Sequence, residues 1–446
     1  MKFSKIALAA AATVMAVPAF AIPASQFDAS TVNVRVSGAT AQDGGVLEAT
    51  LKICKPGTLT AYTATNSFVY FCNADGTKIA LADGTKLAVY KHSAGGSGNG
   101  VQPVNNGTPL PFLNLTAIAG SASCPAPVAA TAPSGAAYQV SACTTLTGLT
   151  STAVAKIGIS DVEPSFFGGP ADYSSLTAEP LASVIFGIPV TKVVYEALQN
   201  AQGLGACAGA LTEVCMPSLS TGQITSLYTQ VGQTWTAVAG VTLPGDDTVY
   251  VARRVDTSGT QKSYEAVIAR TLNGNPSGKS CQLNVDLFVS GAPAADNTAV
   301  ASLCNGSQLV VNGSGSGQVA ACLNLHQDGG RGAIGTLSTE TVTSTAGKIR
   351  FVKANGVAPT IAKVNKGEYT FYTDASLNIK GPLAGTDLAF YNAFKAAFAL
   401  APVNQPFGAS GLEVLDAVTG VAGSGNPLTR VVAGEVNNCQ QSRLIF

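Results

Sequence analysis

Alternation of apolar and polar residues first becomes regular in "TVNVRVSG" (31–38), where Val32, Val34 and Val36 fall on one face and Asn33, Arg35 and Ser37 on the other. A period of two predicts a strand, and "VARRV" (251–255) predicts a second. A helical period takes over in "LSTGQITSLYTQVGQTW" (219–235), in which Leu219, Ile224, Leu227, Tyr228 and Val231 share one face. Ser220 stands at its N-cap with Gln223 three residues on, the spacing of a capping box. Further helices are predicted over 182–200, 262–272 and 387–401, and the Gly/Ser/Thr/Pro-rich stretches 102–152 and 305–320 read as surface loops or insertions. Strands interleaved with helices over this length predict an α/β architecture.

The first apolar run has a different meaning. "MKFSKIALAAAATVMAVPAFA" places Lys2 and Lys5 before an apolar stretch and ends in small residues at Ala19 and Ala21, the make-up of a secretory signal peptide over 1–21. Cleavage after Ala21 leaves Ile22-Pro23 and no cysteine at the cut to take a lipid anchor. Later apolar runs are all interrupted well short of the roughly 18 residues of a membrane span. The expectation is a soluble exported protein, periplasmic or secreted.

Composition narrows the partners. The chain has 446 residues, a length that accommodates two domains, with 25 basic and 25 acidic side chains and a formal net charge of zero. A nucleic-acid partner would need concentrated Lys and Arg, and none is expected. Ten cysteines, at 54, 72, 124, 143, 207, 215, 281, 304, 322 and 439, form an even set that predicts five disulfides in an oxidising compartment. Short loops favour Cys54–Cys72, Cys124–Cys143 and Cys207–Cys215, although sequence does not fix the connectivity. With only His92 and His326 and no C-x-x-C, no metal site or cofactor is expected. Both histidines and Trp235 are read as structural, and Asp246-Asp247 as a solvated turn. The chain has no G-x-S-x-G, H-E-x-x-H or P-loop motif, so an enzyme finds little support.

One polar cluster carries chemistry. In "VARRVDTSGTQKSY" (251–264) a strand ends in two arginines and a short turn opens a helix near Gln261. A helix start offers N–H groups without intrahelical acceptors and a partial positive charge. Ser258 and Thr260 add hydroxyl donors, Gly259 permits close approach, Arg254 supplies a forked cation, and Asp256 is placed to hold it. The alternative is an ordinary helix cap beside an Arg–Asp pair.

Four other segments occur in order around this cluster: "VSGATAQD" (36–43), "GGSGNGV" (95–101), "KIGISDVEP" (156–164) and, after it, "GAIGTL" (332–337). Together with "RRVDTSGT" (253–260) and the tryptophan-ended helix before it, they resemble the phosphate-binding proteins that serve phosphate ABC importers. The resemblance spans about 31 to 400. It implies a two-lobed periplasmic binding protein-like α/β fold of type II, each lobe a sheet flanked by helices, here with disulfide-bearing loop insertions. Lobe 1 would take 28–190 with 366–446 returning to it, and lobe 2 would take 191–365. It further implies Thr40, Ser97, Asp161, Arg254, Ser258, Gly259 and Thr260 as ligand contacts, Asp256 as support for Arg254, phosphate or a similar oxyanion as ligand, and an importer membrane component as partner. Asp161, an acceptor among donors, would select an oxyanion that still carries a proton.

The sequence departs from the family at Ala41, where an aromatic residue is usual, at Thr257 in place of glycine, and in the long segment between Ser97 and Asp161. These changes leave the oxyanion donors in place but enlarge or reshape the pocket mouth, which leaves three alternatives open: a phosphate ester, another tetrahedral oxyanion, or loss of the transport function. Low charge, many cysteines and long insertions also support an extracellular structural or adhesive protein that uses the same fold as a scaffold.

Overall fold

The computed structural model describes residues 21–399 except 169, 208, 230–231, 270–291, 297, 340 and 342–346, and beyond them 412–413, 428–429, 431–432, 435–436, 438 and 443–444. In chain order its strands up to residue 380 are β1 (Val32–Gly38), β2 (Thr60–Ala64), β3 (Ser67–Asn73), β4 (Lys86–His92), β5 (Pro109–Leu113), β6 (Val128–Thr131), β7 (Ala137–Ala142), β8 (Thr150–Val154), β9 (Ile157–Ser160), β10 (Leu176–Thr191), β11 (Ser218–Leu219), β12 (Tyr250–Arg254), β13 (Ala294–Ala295), β14 (Val310–Gly313), β15 (Ala333–Gly335), β16 (Leu337–Ser338), β17 (Ile349–Ala354) and β18 (Tyr372–Lys380). The expected mixed α/β architecture is observed, with both predicted strands present as β1 and β12.

Pairing divides these strands about β10. On one side the order is β6-β7-β2-β3-β4-β1-β9-β18 and then the first part of β10, with β1 parallel to both β4 and β9. On the other, the last part of β10 lies between β17 and β15, and the sheet continues through β12, β14 and β13, with β11 outside β17. The changeover falls at Phe186 and Gly187, which pair with β16. There Phe186 N donates to Phe371 O at 3.0 Å, and the two rings stand 5.5 Å apart. Gly187 fits because the backbone runs against an aromatic ring: a Cβ would come within 2.6 Å of Phe351.

β10 corrects the helix predicted over 182–200, since a helix begins only at Lys192 and runs Lys192–Ala201. The last twelve residues of β10 are all buried, so the run has no polar face to show a period. Gly187 and Pro189, amid the β-branched Val184, Ile185, Ile188 and Val190, disfavour a helix. The prediction over 219–235 is met in two pieces, helices Thr221–Thr229 and Trp235–Ala239. The capping box is present: Ser220 Oγ accepts from Gln223 N at 3.1 Å, and Gln223 Oε1 accepts from Ser220 N at 2.9 Å. Helices Gly259–Val267 and Gly385–Ala399 answer to 262–272 and 387–401; residues 270–272 and 400–401 lie outside the described residues.

Neither stretch read as loop is structureless. Across 102–154, β5 pairs antiparallel with β8, and Leu110, Phe112, Leu113, Leu115, Ile118 and Leu149 pack with Tyr62, Val69, Phe71, Ala88 and Tyr90 of β2, β3 and β4 in a second core. The stretch 305–320 holds β14 and the start of helix Ser316–Asp328, whose inner face buries Val319, Cys322, Leu323 and His326. The largest core runs from one sheet to the other, through Ile188 and Val190 to Val251, Ile334 and Val352. Under β1, β4 and β9, Val34, Val36, Leu87, Val89, Ile157 and Ile159 join it with Val46 and Ile53 of helix Asp43–Ile53 and Phe390 and Phe394 of helix Gly385–Ala399.

The favoured disulfides Cys54–Cys72, Cys124–Cys143 and Cys207–Cys215 are formed, together with Cys304–Cys322. Cys281 and Cys439, which the fifth would need, lie outside the described residues, as does 1–20 of the predicted signal peptide. Among the described residues no helix is long and apolar enough to cross a membrane. Trp235 is fully buried in the core, as expected.

Candidate functional site

Five parallel-paired strands, β1, β4, β9, β12 and β14, end close to one another, and the residues just beyond their carboxyl ends form the candidate site. Open α/β sheets place ligands at this position because the loops there are free to carry polar groups. Thr40 follows β1, Ser97 lies in the loop after β4, Asp161 follows β9, Arg254 ends β12, and Ser258-Gly259-Thr260 open helix Gly259–Val267. The side chains of Thr40, Ser97, Asp161, Arg254, Ser258 and Thr260 are all buried.

Contacts bring these predicted residues together in two groups. Ser97 Oγ donates to Asp161 Oδ2 at 3.1 Å and accepts from Asp161 N at 2.9 Å. Gly259 lies directly against this pair: a Cβ there would be 2.3 Å from Ser97 Oγ and 2.7 Å from Asp161 Cβ. Gly98 N donates to Thr257 O at 2.7 Å, fastening the loop after β4 to the turn after β12. In the second group Arg254 Nη1 donates to Thr40 Oγ1 at 3.0 Å and to Ser316 Oγ at 3.1 Å. A Cβ on Gly96 would be 3.1 Å from Arg254 Nη2 and from Ser258 Cα, so the loop after β4 touches both groups.

Asp256 departs from its expected role. It is exposed, while Arg254 directs Nε to Gly313 O and Nη2 to Ser314 O, each at 3.2 Å. The guanidinium is steered by backbone carbonyls at the end of β14 because it points inward, whereas the turn carries Asp256 outward. Thr257 takes part through its backbone carbonyl, which accepts from Gly98 N.

Several participants were not singled out in the sequence. Gln42 Nε2 donates to Asp161 Oδ1 at 3.2 Å. Lys91 is completely buried at the end of β4, with Nζ 2.6 Å from Gly38 O, 3.2 Å from Ala39 O and 3.2 Å from Asp43 Oδ1. It thereby holds the bend that presents Thr40. Ser93 Oγ bridges, accepting from Lys91 Nζ at 2.7 Å and donating to Asp43 Oδ1 at 2.5 Å. Ser316 was concealed by the Gly/Ser composition around it. The "VNGSGSGQV" run nevertheless precedes buried positions 319, 322, 323 and 326, a helical spacing that marks a helix start there.

Burial governs the electrostatics. It raises the Asp161 carboxyl above its ordinary range, against hydrogen bonds from Gln42 and Ser97 and the attraction of Arg254 and Lys91. Burial raises Asp43 too, against Lys91 and Ser93, and brings Arg254 down to about 10. Ser258 Oγ and Thr260 Oγ1 are buried and have no hydrogen-bond partner. Buried hydroxyls without partners are uncommon and call for an explanation.

The histidines lie elsewhere. His92 meets Phe112 edge to face with centroids 5.9 Å apart. His326 stacks on Tyr250 at 4.6 Å, and its Nδ1 accepts from Arg331 Nε at 3.1 Å. Burial depresses both to about 4. His326 is close to Cys304 and Cys322, but their disulfide leaves no thiolate to bind a metal. Asp246 and Asp247, read as solvated, organise their turn by accepting from Thr248 N and Tyr250 OH and from Thr236 N.

No protein-family model matches the chain, and no curated protein matches it in sequence. Solved structures similar to it include a proposed phosphate ABC transporter substrate-binding protein with bound phosphate from Clostridium perfringens, at 14% identity and TM-score 0.45 over 82% of this chain and 93% of that one. An ABC-type phosphate transport receptor from Vibrio cholerae matches at 14% identity and TM-score 0.41, over 84% of this chain and all of that one, 100%. PstS from Borrelia burgdorferi matches at 12% identity and TM-score 0.34, over 82% of this chain and 92% of that one.

Proposed function

We propose that this chain is an exported solute-binding protein that holds phosphate, or a related tetrahedral oxyanion, between two lobes for ABC-type import. The observation that carries the reading is the pair of buried, partnerless hydroxyls on Ser258 and Thr260. They sit at a helix start whose first N–H groups lack intrahelical acceptors, with Arg254 on one side and Asp161 on the other. An oxyanion supplies acceptors to all of these donors, and a proton on it meets Asp161. Phosphate esters belong to the same ligand class. Nothing in this chemistry requires turnover, so the reading is of binding without catalysis.

The lobes of this reading are 28–190 with 366–446, and 191–365. The changeover of β10 between sheets at Phe186–Gly187, with Phe371 beside it, supports a hinge near those boundaries. Closure would be driven by the ligand's preference for the closed form. Four disulfides support an oxidising compartment, and the residues of 1–21 support export by a cleaved signal peptide. The test is a mass spectrum of the small molecule released on denaturing freshly purified protein, followed by calorimetry with phosphate after refolding. Release of an oxyanion and its rebinding is the expected result.

A second reading, a structural or adhesive protein built on the same scaffold, is favoured by one observation. Arg254 spends its donors on Thr40, Ser316, Gly313 and Ser314 within the protein. No released ligand and no binding of phosphate, sulfate or a phosphate ester would decide for it.

A further inference from the structure

Charge and acceptor inventory at the site point to the protonation state of the ligand. Two buried cations, Lys91 and Arg254, face two carboxylates, Asp43 and Asp161. Lys91 and Asp43 stand 3.2 Å apart, and Arg254 lies within the field of both carboxylates. Their formal charges cancel. A doubly charged oxyanion would place two uncompensated charges in a dry site, and a singly charged one places half as much. Burying charge without compensation is among the costliest changes a protein interior can undergo.

The groups farther out do not change this sign. Glu163, two residues beyond Asp161, binds Asn438 and lies near Asp374. On helix Gly259–Val267, Glu265 pairs with Lys262 at 3.2 Å. Thr373, from β18, reaches Asp161 only at its carbonyl, 2.7 Å away. The one further buried cation on these elements, Arg253, precedes Arg254 on β12, donates its Nε to Asn312 Oδ1 at 2.7 Å and lies in the field of Tyr228; the other added charges are negative or paired.

The acceptors give an independent count. Asp161 accepts from Ser97 and Gln42. The same Gln42 amide that donates to Asp161 carries its Oε1 buried and with no hydrogen-bond partner. A carboxylate and an adjacent amide oxygen are both acceptors and neither can supply a proton to the other. An oxyanion with one proton can satisfy only one of them. An oxyanion with two protons satisfies both.

We infer that the site takes its oxyanion in the singly charged, twice-protonated form, dihydrogen phosphate in the case of phosphate, with Asp161 receiving one ligand proton and Gln42 Oε1 the other. The inference rests on the oxyanion reading proposed above and adds to it a ligand charge and a residue, Gln42, that sets it.

Calorimetry with inorganic phosphate from mildly acidic to mildly alkaline pH tests it. Once free phosphate loses its second proton, the apparent dissociation constant should rise about tenfold per pH unit, because only the competent fraction binds. Titrations in buffers of different ionisation enthalpy should show about one proton taken up per anion bound on the alkaline side. The phosphorus-31 shift of bound phosphate should stay at that of the dihydrogen form across this range. Gln42→Met should weaken binding about tenfold at mildly acidic pH and flatten the pH dependence, as loss of a buried acceptor predicts. Gln42→Asn, which retains an amide, serves as the second variant, and circular dichroism checks the fold of both.

Phosphate binding with a flat pH profile and no proton uptake would overturn the inference and leave the oxyanion reading standing. Proton uptake with the bound phosphorus-31 shift of the dianion would put the proton on Asp161 and overturn it too. A steep profile retained in folded Gln42→Met would remove Gln42 from the assignment. No phosphate binding at any pH would instead overturn the oxyanion reading itself.

Discussion

Arg254 Nη1 donates to Thr40 Oγ1 at 3.0 Å, so a cation at the end of a strand in one sheet is fastened to the loop leaving a strand of the other. Arg254→Ala should weaken phosphate binding by about 2–5 kcal/mol, the range for truncating one partner of a buried, hydrogen-bonded charge pair. Arg254→Lys should recover only part of this, since an ammonium cannot span Thr40, Ser316 and two carbonyls at once. Wild-type affinity of the alanine variant in calorimetry would move the site elsewhere.

Gly259 tests the close approach between the two sheets. An added methyl would sit 2.3 Å from Ser97 Oγ, so Gly259→Ala must push helix Gly259–Val267 away from Ser97 and Asp161. Overpacking of this kind costs about 1–3 kcal/mol, and the donors at the helix start move with it. Phosphate affinity should fall at least about tenfold with the circular dichroism spectrum unchanged. Undiminished affinity would mean that the two segments stand apart in solution.

On the oxyanion reading, Asp161 would set which anion is accepted. Ionised, it only accepts, and sulfate near neutral pH has no proton to offer. The wild type should bind phosphate and ignore sulfate. Asp161→Asn removes the repulsion and offers an amide donor, so sulfate should begin to compete while phosphate affinity changes modestly. Continued exclusion of sulfate by that variant would place selectivity in other groups.

Glu163 predicts a pH dependence of stability. Burial raises its carboxyl from 4.5 to about 7, against donors from Asn438 N and Nδ2. The folded protein then holds this proton more firmly than the unfolded chain does. Its contribution is fully present below about 4.5 and lost as pH rises through about 7. The linked free energy is on the order of 3 kcal/mol. His92 and His326, depressed from 6.5 to about 4, act in the opposite sense between those values and overlap the Glu163 window, so the comparison is made against Glu163→Gln. Thermal midpoints of the two proteins should diverge in favour of the variant as pH rises between about 4.5 and 7. Parallel curves would show that Glu163 does not titrate in that window.

Much of the site was legible because its residues lie in short, ordered motifs. Ser97, Asp161 and Gly259, far apart in sequence, do converge, and the Ser220–Gln223 box forms as its spacing predicts. What escaped shares a physical character. β10 is buried on both faces, so it shows no period from which to distinguish strand from helix. Ser316 lies in a run whose small residues serve backbone packing around Arg254 and look like a linker by composition. Lys91 is one lysine at the end of an apolar strand, and only the fold reveals that its ammonium is spent on the carbonyls of Gly38 and Ala39. Asp256 was misread for the opposite reason: nearness in sequence to Arg254 stood in for nearness in space.

β10 has one more consequence. Its hydrogen-bond ladder is shared, with Leu176–Ile185 serving β18 and Ile188–Thr191 serving β17. A cut anywhere within it strips a neighbour from one of the two sheets, leaving a raw edge that invites pairing with another chain. Neither half of the molecule is thus a self-sufficient fragment, and a split version would stay soluble only if both pieces were present to zip the strand back together.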